Sequence, residues 1–199
     1  MKQPTNPSRT ASVERKTKET RISASLDLDG TGEADVSTGI GFLDHLFESL
    51  AKHGRFDLAL RCEGDLRIDD HHTAEDCAIV LGQALDKALG DRAGIERFGD
   101  AFAPLDESLA RVVVDLVTRP HATVELGLRR ERLGVLACEN IPHVLRSLAI
   151  EGRFTLHADV IRGENDHHRA EAAFKALAVA LRRAVARTGT GVPSTKGAM

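Results

Sequence analysis

Paired histidines followed by a carboxylate occur twice in this chain, as Asp70-His71-His72-Thr73-Ala74-Glu75 and as Asp166-His167-His168-Arg169-Ala170-Glu171. Imidazole nitrogen with carboxylate oxygen suits a divalent first-row metal such as Mn, Fe, Co, Ni or Zn. Apolar residues at helical spacing follow each copy. Ala74, Cys77, Ala78, Leu81, Ala84, Leu85 and Ala88 follow the first, and Ala170, Ala173, Phe174, Leu177, Leu181 and Val185 the second. That period places each motif in the first turn of an amphipathic helix, with Asp70 and Asp166 as N-cap candidates. Residues three or four apart share a helix face, so His72 can reach one point with Glu75, and His168 with Glu171. The first histidine of each pair is rotated toward a second point. The partial positive charge of a helix N-terminus disfavours imidazolium and keeps the rings free to ligate. One copy alone would equally suit a capped helix start with solvated histidines. Two copies with identical internal spacing favour metal binding.

The elements that must position these residues also repeat. Alternating apolar residues from Ala11 to Leu28 read as half-buried strands, Asp29 to Gly32 as a turn, and Glu33 to Ser37 as a short returning strand. Phe42, Leu43, Leu46, Phe47 and Leu50 give a helical stripe carrying His45, and Phe56 to Cys62 a strand before the first motif helix, which ends at Gly90. In the second half, Ala110–Val117 and Ala122–Leu128 read as strands and Arg129–Gly134 as a turn. Asn140–Ile150 reads as a helix with Asn140 as N-cap and Pro142 in its first turn, where proline is tolerated. Arg153–Val160 reads as a strand and Asp166–Arg187 as the second motif helix. The segment from His45 to Ala51 aligns with that from His143 to Ala149, and Gly54-Arg55-Phe56 with Gly152-Arg153-Phe154. This predicts an α+β fold of internally duplicated β-β-β-α-β-α units, with helices packed on one face of each sheet. The expected boundaries are a tail over 1–10, repeats over 11–92 and 93–187, and a C-terminal tail over 188–199.

The register adds His45 and His143 to the ligand candidates. His45, His71, His72, Glu75, His143, His167, His168 and Glu171 divide between two metals at four each, leaving positions open for substrate or water. The preferred division gives each ion the second histidine and glutamate of one motif, the first histidine of the other, and one of His45 and His143. The halves would meet within one chain or between chains. His53, His121 and His157 have no repeat partner and read as structural.

Composition narrows the class. The 199 residues suit one domain, or two small halves fused, and 42% hydrophobic content is enough for a core. A net charge of −3 provides no field that recruits nucleic acid or an anionic membrane. Cys62, Cys77 and Cys138 lie far apart, and an odd count argues against a disulfide framework. The polar N-terminus lacks a signal peptide's apolar core and no apolar run is long enough to span a bilayer, so a soluble, cytoplasmic protein is expected. Asp27-Leu28-Asp29-Gly30-Thr31 is similar to the nucleophile loop of haloacid dehalogenase-like phosphatases, but its alternating strand favours a hairpin turn. Gly39-Ile40-Gly41 is too short for a dinucleotide fingerprint.

Four motifs carry a resemblance to a known family. They are Gly39-Ile40-Gly41-Phe42-Leu43-Asp44-His45, Asp70 to Asp76, Asn165 to Glu171, and Pro193-Ser194-Thr195-Lys196-Gly197. From about Ser12 to the C-terminus the chain resembles imidazoleglycerol-phosphate dehydratases of histidine biosynthesis. The resemblance implies dehydration of imidazole glycerol phosphate to imidazole acetol phosphate. It implies two Mn2+ per active site, with other first-row metals admissible and no organic cofactor. It further implies a homo-oligomer of 24 subunits with active sites between them, and a single activity, since there is no room for the phosphatase domain some relatives carry. The eight candidate ligands fall on the family's metal positions. By the same resemblance Glu19 is a substrate-contacting acid/base; the elimination chemistry leaves His45 and His53 as alternatives for the proton transfer, with His53 also counted among the substrate-binding residues, and Glu75 and Glu171 belong to the catalytic centre. Arg97, Arg119, Ser194, Thr195 and Lys196 match the phosphate-side residues and the tail that closes over them. Pro142 departs from the family's usual acidic or apolar residue before the histidine, so a small backbone shift at His143 is expected. The competing classes are a dinuclear metallophosphoesterase and a metal-storage assembly; storage sites of the ferritin type are richer in carboxylate than this set.

Overall fold

The structure, a computed structural model, describes residues 8–197. Residues 1–7 of the expected N-terminal tail lie outside the described residues, and Thr10 already belongs to the first strand. β1 (Thr10–Lys16) and β2 (Thr20–Asp27) pair antiparallel. Thr20, Ile22, Ala24 and Leu26 face inward and are buried, while Arg21, Ser23 and Ser25 are exposed. β3 (Ala34–Ser37), α1 (Gly41–Gly54), β4 (Asp57–Gly64) and α2 (His71–Leu89) complete the first half. The second half contains β5 (Phe98–Leu105), β6 (Ser108–Asp115), β7 (His121–Glu125), the small β8 (Arg132–Leu133) and β9 (Leu136–Ala137) hairpin, α3 (Asn140–Glu151), β10 (Thr155–Arg162) and α4 (Asp166–Ala184).

The two four-stranded sheets have the same order, β1-β2-β4-β3 and β5-β6-β10-β7, so the fold is α+β and duplicated as the pattern predicts, with β8–β9 as an insertion. α2 packs on β1 and β2, α4 on β5 and β6, α1 on β3, and α3 on β7. Across the middle, α1 packs on α4 and α2 on α3, and one continuous apolar cluster joins the halves. The helices are thus enclosed between the sheets, and each cross-layer helix pair joins one half to the other. Both α1 and α3 end in a left-handed arginine, Arg55 (φ 59°) and Arg153 (φ 51°). The N–H groups of Phe56 and Phe154 then donate to Ala51 and Ala149 at 3.0 Å, turning each chain into its next strand. At the junction of the halves, the buried Arg92 guanidinium donates to the carbonyls of Leu116, Gly152 and Arg153 at 2.9, 2.9 and 2.7 Å.

Three local expectations are corrected. β3 does not return beside β2; it runs parallel to β4, which lies between them. Asp57 Oδ1 accepts the N–H groups of Thr31, Gly32 and Glu33 at 2.8–3.0 Å and so holds the loop across the start of β4. Asp70 stands at the N-cap of α2 but its side chain makes no capping bond, and Asp166 is already the first residue inside α4. Asp70 accepts from Ala137 N and Asn140 Nδ2, and Asp166 from Arg129 N and Arg130 N, while Asn165 caps α4 through His167 N. β5 has no counterpart in the alternation reading, because its buried positions are Gly99, Ala101 and Ala103 while Phe98 and Phe102 are exposed. Small residues let α4 approach closely: a Cβ at Gly99 would lie 2.0 Å from the carbonyl oxygen of Ala180. Gly99→Ala is therefore expected to cost about 3 kcal/mol by forcing α4 off its strand. An unchanged urea midpoint for that variant would contradict this packing.

Candidate metal centres

Helix spacing brings histidine and glutamate from one motif together, and a helix from the other half supplies a third donor. His45 of α1 meets His167 and Glu171 of α4; His143 of α3 meets His71 and Glu75 of α2. Within each trio the donor atoms all lie within 4.8 Å of one another. Glu171 Oε2 is 3.1 Å from both His45 Nε2 and His167 Nε2, and Glu75 lies 3.0 Å from His143 Nε2 and 3.6 Å from His71 Nε2. Metal–ligand bonds of about 2.1 Å meeting at right angles place neighbouring donors about 3.0 Å apart. The trios fit a first-row cation on spacing and donor type.

Local contacts aim these donors. At the start of α1, Asp44 Oδ1 accepts from Thr38 N at 2.8 Å and Thr38 Oγ1 at 2.6 Å, with Gly39 at φ 82° making the turn. At α3, buried Asn140 donates from Nδ2 to Asp70, which leaves its Oδ1 to accept from His71 Nδ1 at 3.0 Å. His71 is thereby held with its Nε2 lone pair toward Glu75 and His143. Pro142 lies in the first turn of α3 and leaves His143 3.0 Å from Glu75. The repeat equivalent of Asn140 is Phe42, whose ring packs 4.9 Å from that of His167, so the two centres differ in their surroundings.

The second histidines do not join these trios, which corrects the division expected from sequence. Each ligating histidine stands four positions before its glutamate rather than three. His72 Nδ1 faces the Asp65 carboxylate at 3.1 Å, and its Nε2 is 3.9 Å from Glu19 in the β1–β2 turn. The Asp65 contact raises the His72 pKa. His168 Nδ1 donates to Glu107 at 2.7 Å. The Glu107 carboxyl is held well below the usual range by the Asn165 N–H and then by His168.

Lys175, which sequence reading passed over, stands 2.7 Å from Glu171. Burial pushes the Glu171 carboxyl up, but Lys175 and His45 outweigh this and bring it down to about 2. His45, His53, Lys52, Glu171 and Lys175 line a cleft of about 390 Å³. Burial, and next the Lys175 ammonium, lower the His53 pKa. The one signal for Lys175 is a break in the repeat, since Ile79 is its counterpart. Asp65 carries no such signal, whereas Glu107 is the hairpin counterpart of Glu19.

The phosphate-side candidates lie elsewhere on the chain. Arg97 donates to both oxygens of Asp115 at 2.7 and 3.0 Å and to the Pro193 carbonyl at 2.9 Å. Arg119, Thr195 and Lys196 are exposed, and Ser194 Oγ accepts from Lys196 N at 3.2 Å. Arg97 N bonds Ala184 O at the far end of α4 from Glu171. Ala184 lies thirteen helical steps beyond Glu171, a rise of about 20 Å. No helix among the described residues is long and apolar enough to cross a membrane. Cys62, Cys77 and Cys138 are free thiols.

Residues 38–181 match the family profile described as Imidazoleglycerol-phosphate dehydratase. An imidazoleglycerol-phosphate dehydratase of Candida glabrata is 56% identical over 95% of this chain and 99% of its own length. One from Phytophthora nicotianae is 60% identical over 96% of this chain, which spans only 42% of that longer protein. The crystal structure of imidazoleglycerol-phosphate dehydratase from Staphylococcus aureus superposes with a TM-score of 0.81 at 35% identity, covering 91% of this chain and 99% of that one.

Proposed function

Because the chain belongs to the imidazoleglycerol-phosphate dehydratase family and is a hydro-lyase, we propose that it converts imidazole glycerol phosphate to imidazole acetol phosphate with two divalent cations, Mn2+ by preference. The observation that carries this reading is the pair of histidine–glutamate trios, each assembled across the two halves. When bound, such ions supply Lewis-acid polarisation of the imidazole ring, which helps the hydroxyl on the adjacent carbon depart. His45, His167 and Glu171 would hold one ion, and His71, Glu75 and His143 the other. Glu19, exposed on its turn beside His72, would move the proton that carries the enol product to the ketone.

Arg97, Arg119, Ser194, Thr195 and Lys196 would hold the phosphate through guanidinium, hydroxyl and ammonium groups. The distance of Arg97 from Glu171 along α4 supports a site shared between copies of the chain. So do His72 and His168, which turn away from their own trios and would serve as fourth ligands for neighbouring copies. A 24-subunit assembly of this kind is part of the proposal, as is a cytoplasmic location.

The direct test follows ketone formation from imidazole glycerol phosphate while metal content is measured by mass spectrometry. Turnover is expected to vanish on dialysis against chelator and to return with added Mn2+. Full turnover by metal-free protein would overturn the reading, and release of inorganic phosphate would point instead to a phosphoesterase.

A further inference from the structure

The hairpins that open the two halves each place a glutamate immediately before their second strand, Glu19 before β2 and Glu107 before β6. The two have diverged in what they touch. Glu19 is about half exposed and lies 3.9 Å from His72 Nε2, too far for a hydrogen bond. Glu107 Oε2 lies 2.7 Å from His168 Nδ1, and its Oε1 accepts the N–H groups of Glu164 and Asn165 at 3.0 and 2.8 Å. Those two residues form the loop leading into α4, so one carboxylate connects the hairpin, the helix entry and the histidine. In the first half Asp65 takes the Nδ1 contact of His72, and the hairpin glutamate makes no hydrogen bond to the ring.

A carboxylate accepts and cannot donate, so its contact at Nδ1 requires the proton there, which in the neutral ring leaves the lone pair on Nε2. The His168 side chain is only partly buried, and the exposed Asp106 carboxylate lies 3.8 Å from its Nε2, beyond hydrogen-bonding distance. We propose that Glu107 is a positioning residue that fixes His168 as the Nδ1–H tautomer and presents its Nε2 to a cation held by a neighbouring copy. This rests on the reading of His168 as a metal ligand. Glu19, its hairpin counterpart, is released from that task for contact with substrate.

Glu107→Gln separates the roles. The glutamine oxygen can still accept from Glu164 and Asn165, while its NH2 group faces His168 Nδ1 and favours the opposite tautomer, whose Nε2 carries the proton. Calorimetric titration of the intact metal-free protein with Mn2+ is expected to show an affinity loss of about 10- to 100-fold for Glu107→Gln. His168→Ala is expected to lose at least as much, and the double variant no more than His168→Ala alone. If His168→Ala weakens binding and Glu107→Gln does not, the positioning role is overturned while the ligand reading stands. Additive losses in the double variant would mean that Glu107 acts only through the loop, which also overturns it. Unchanged affinity in His168→Ala would remove the ligand reading itself.

Discussion

Glu75→Gln is expected to lower turnover about a thousand-fold and to leave the chain with one tightly held cation instead of two. Glu75 is the anionic member of its trio, 3.0 Å from His143 on α3 and 3.6 Å from His71 one turn back on α2. Glutamine keeps the shape but removes the charge, and its amide N–H can occupy the lone pair of one of the two imidazoles. Loss of a cation that polarises the substrate is worth about 4 kcal/mol, which corresponds to that factor in rate. The Glu171 trio is assembled from α1 and α4 and is expected to keep its ion. Glu75 is only partly buried, so the melting temperature of the metal-free variant is expected to match the parent. Steady-state kinetics with metal analysis decide the matter: full turnover with two ions per chain would contradict the assignment.

Arg97→Ala is expected to reduce kcat/KM about 150-fold, chiefly through KM, with metal content unchanged. The Arg97 fork grips Asp115 with two donors and the Pro193 carbonyl with a third, so it holds the start of the Ser194–Lys196 tail against the body. Removing it would release the tail and withdraw a guanidinium from the phosphate side. Two charge-assisted hydrogen bonds together contribute about 3 kcal/mol, the source of the expected factor. Arg97→Lys is expected to recover only part of the loss, since an ammonium restores charge without the fork. A KM equal to the parent's in Arg97→Ala would remove Arg97 from the phosphate site.

The duplication was legible in the sequence because each half carries its histidines and its Gly-Arg-Phe helix stop in register. The motif helices were legible for the same reason, together with apolar spacing that matches the buried face of α2 and α4. β5 escaped because the alternation rule looks for large apolar residues inside, and here Gly99, Ala101 and Ala103 lie under α4 while two phenylalanines face out. The direction of β3 depends on Asp57, a residue 20 or more positions away, and no local pattern reports that. At the candidate site, the residue types were readable but their grouping was not. Both histidines of a pair are within reach of the glutamate on a bare helix. The choice is made by Asn140, Asp65 and Glu107, which come from other elements and fix the rings through Nδ1. Asp70 and Asp166 had the right type for helix caps, yet their carboxylates are used to tie down residues 137–140 and 129–130.

The central claim is that two cation centres form where α1 meets α4 and where α2 meets α3. Anomalous diffraction from crystals of Mn2+-loaded protein tests it most directly. Two peaks per chain are expected, one among His45, His167 and Glu171 and one among His71, Glu75 and His143, each approached by a second motif histidine from another copy. Density at neither trio, or cations bound elsewhere in an active crystal form, would contradict it.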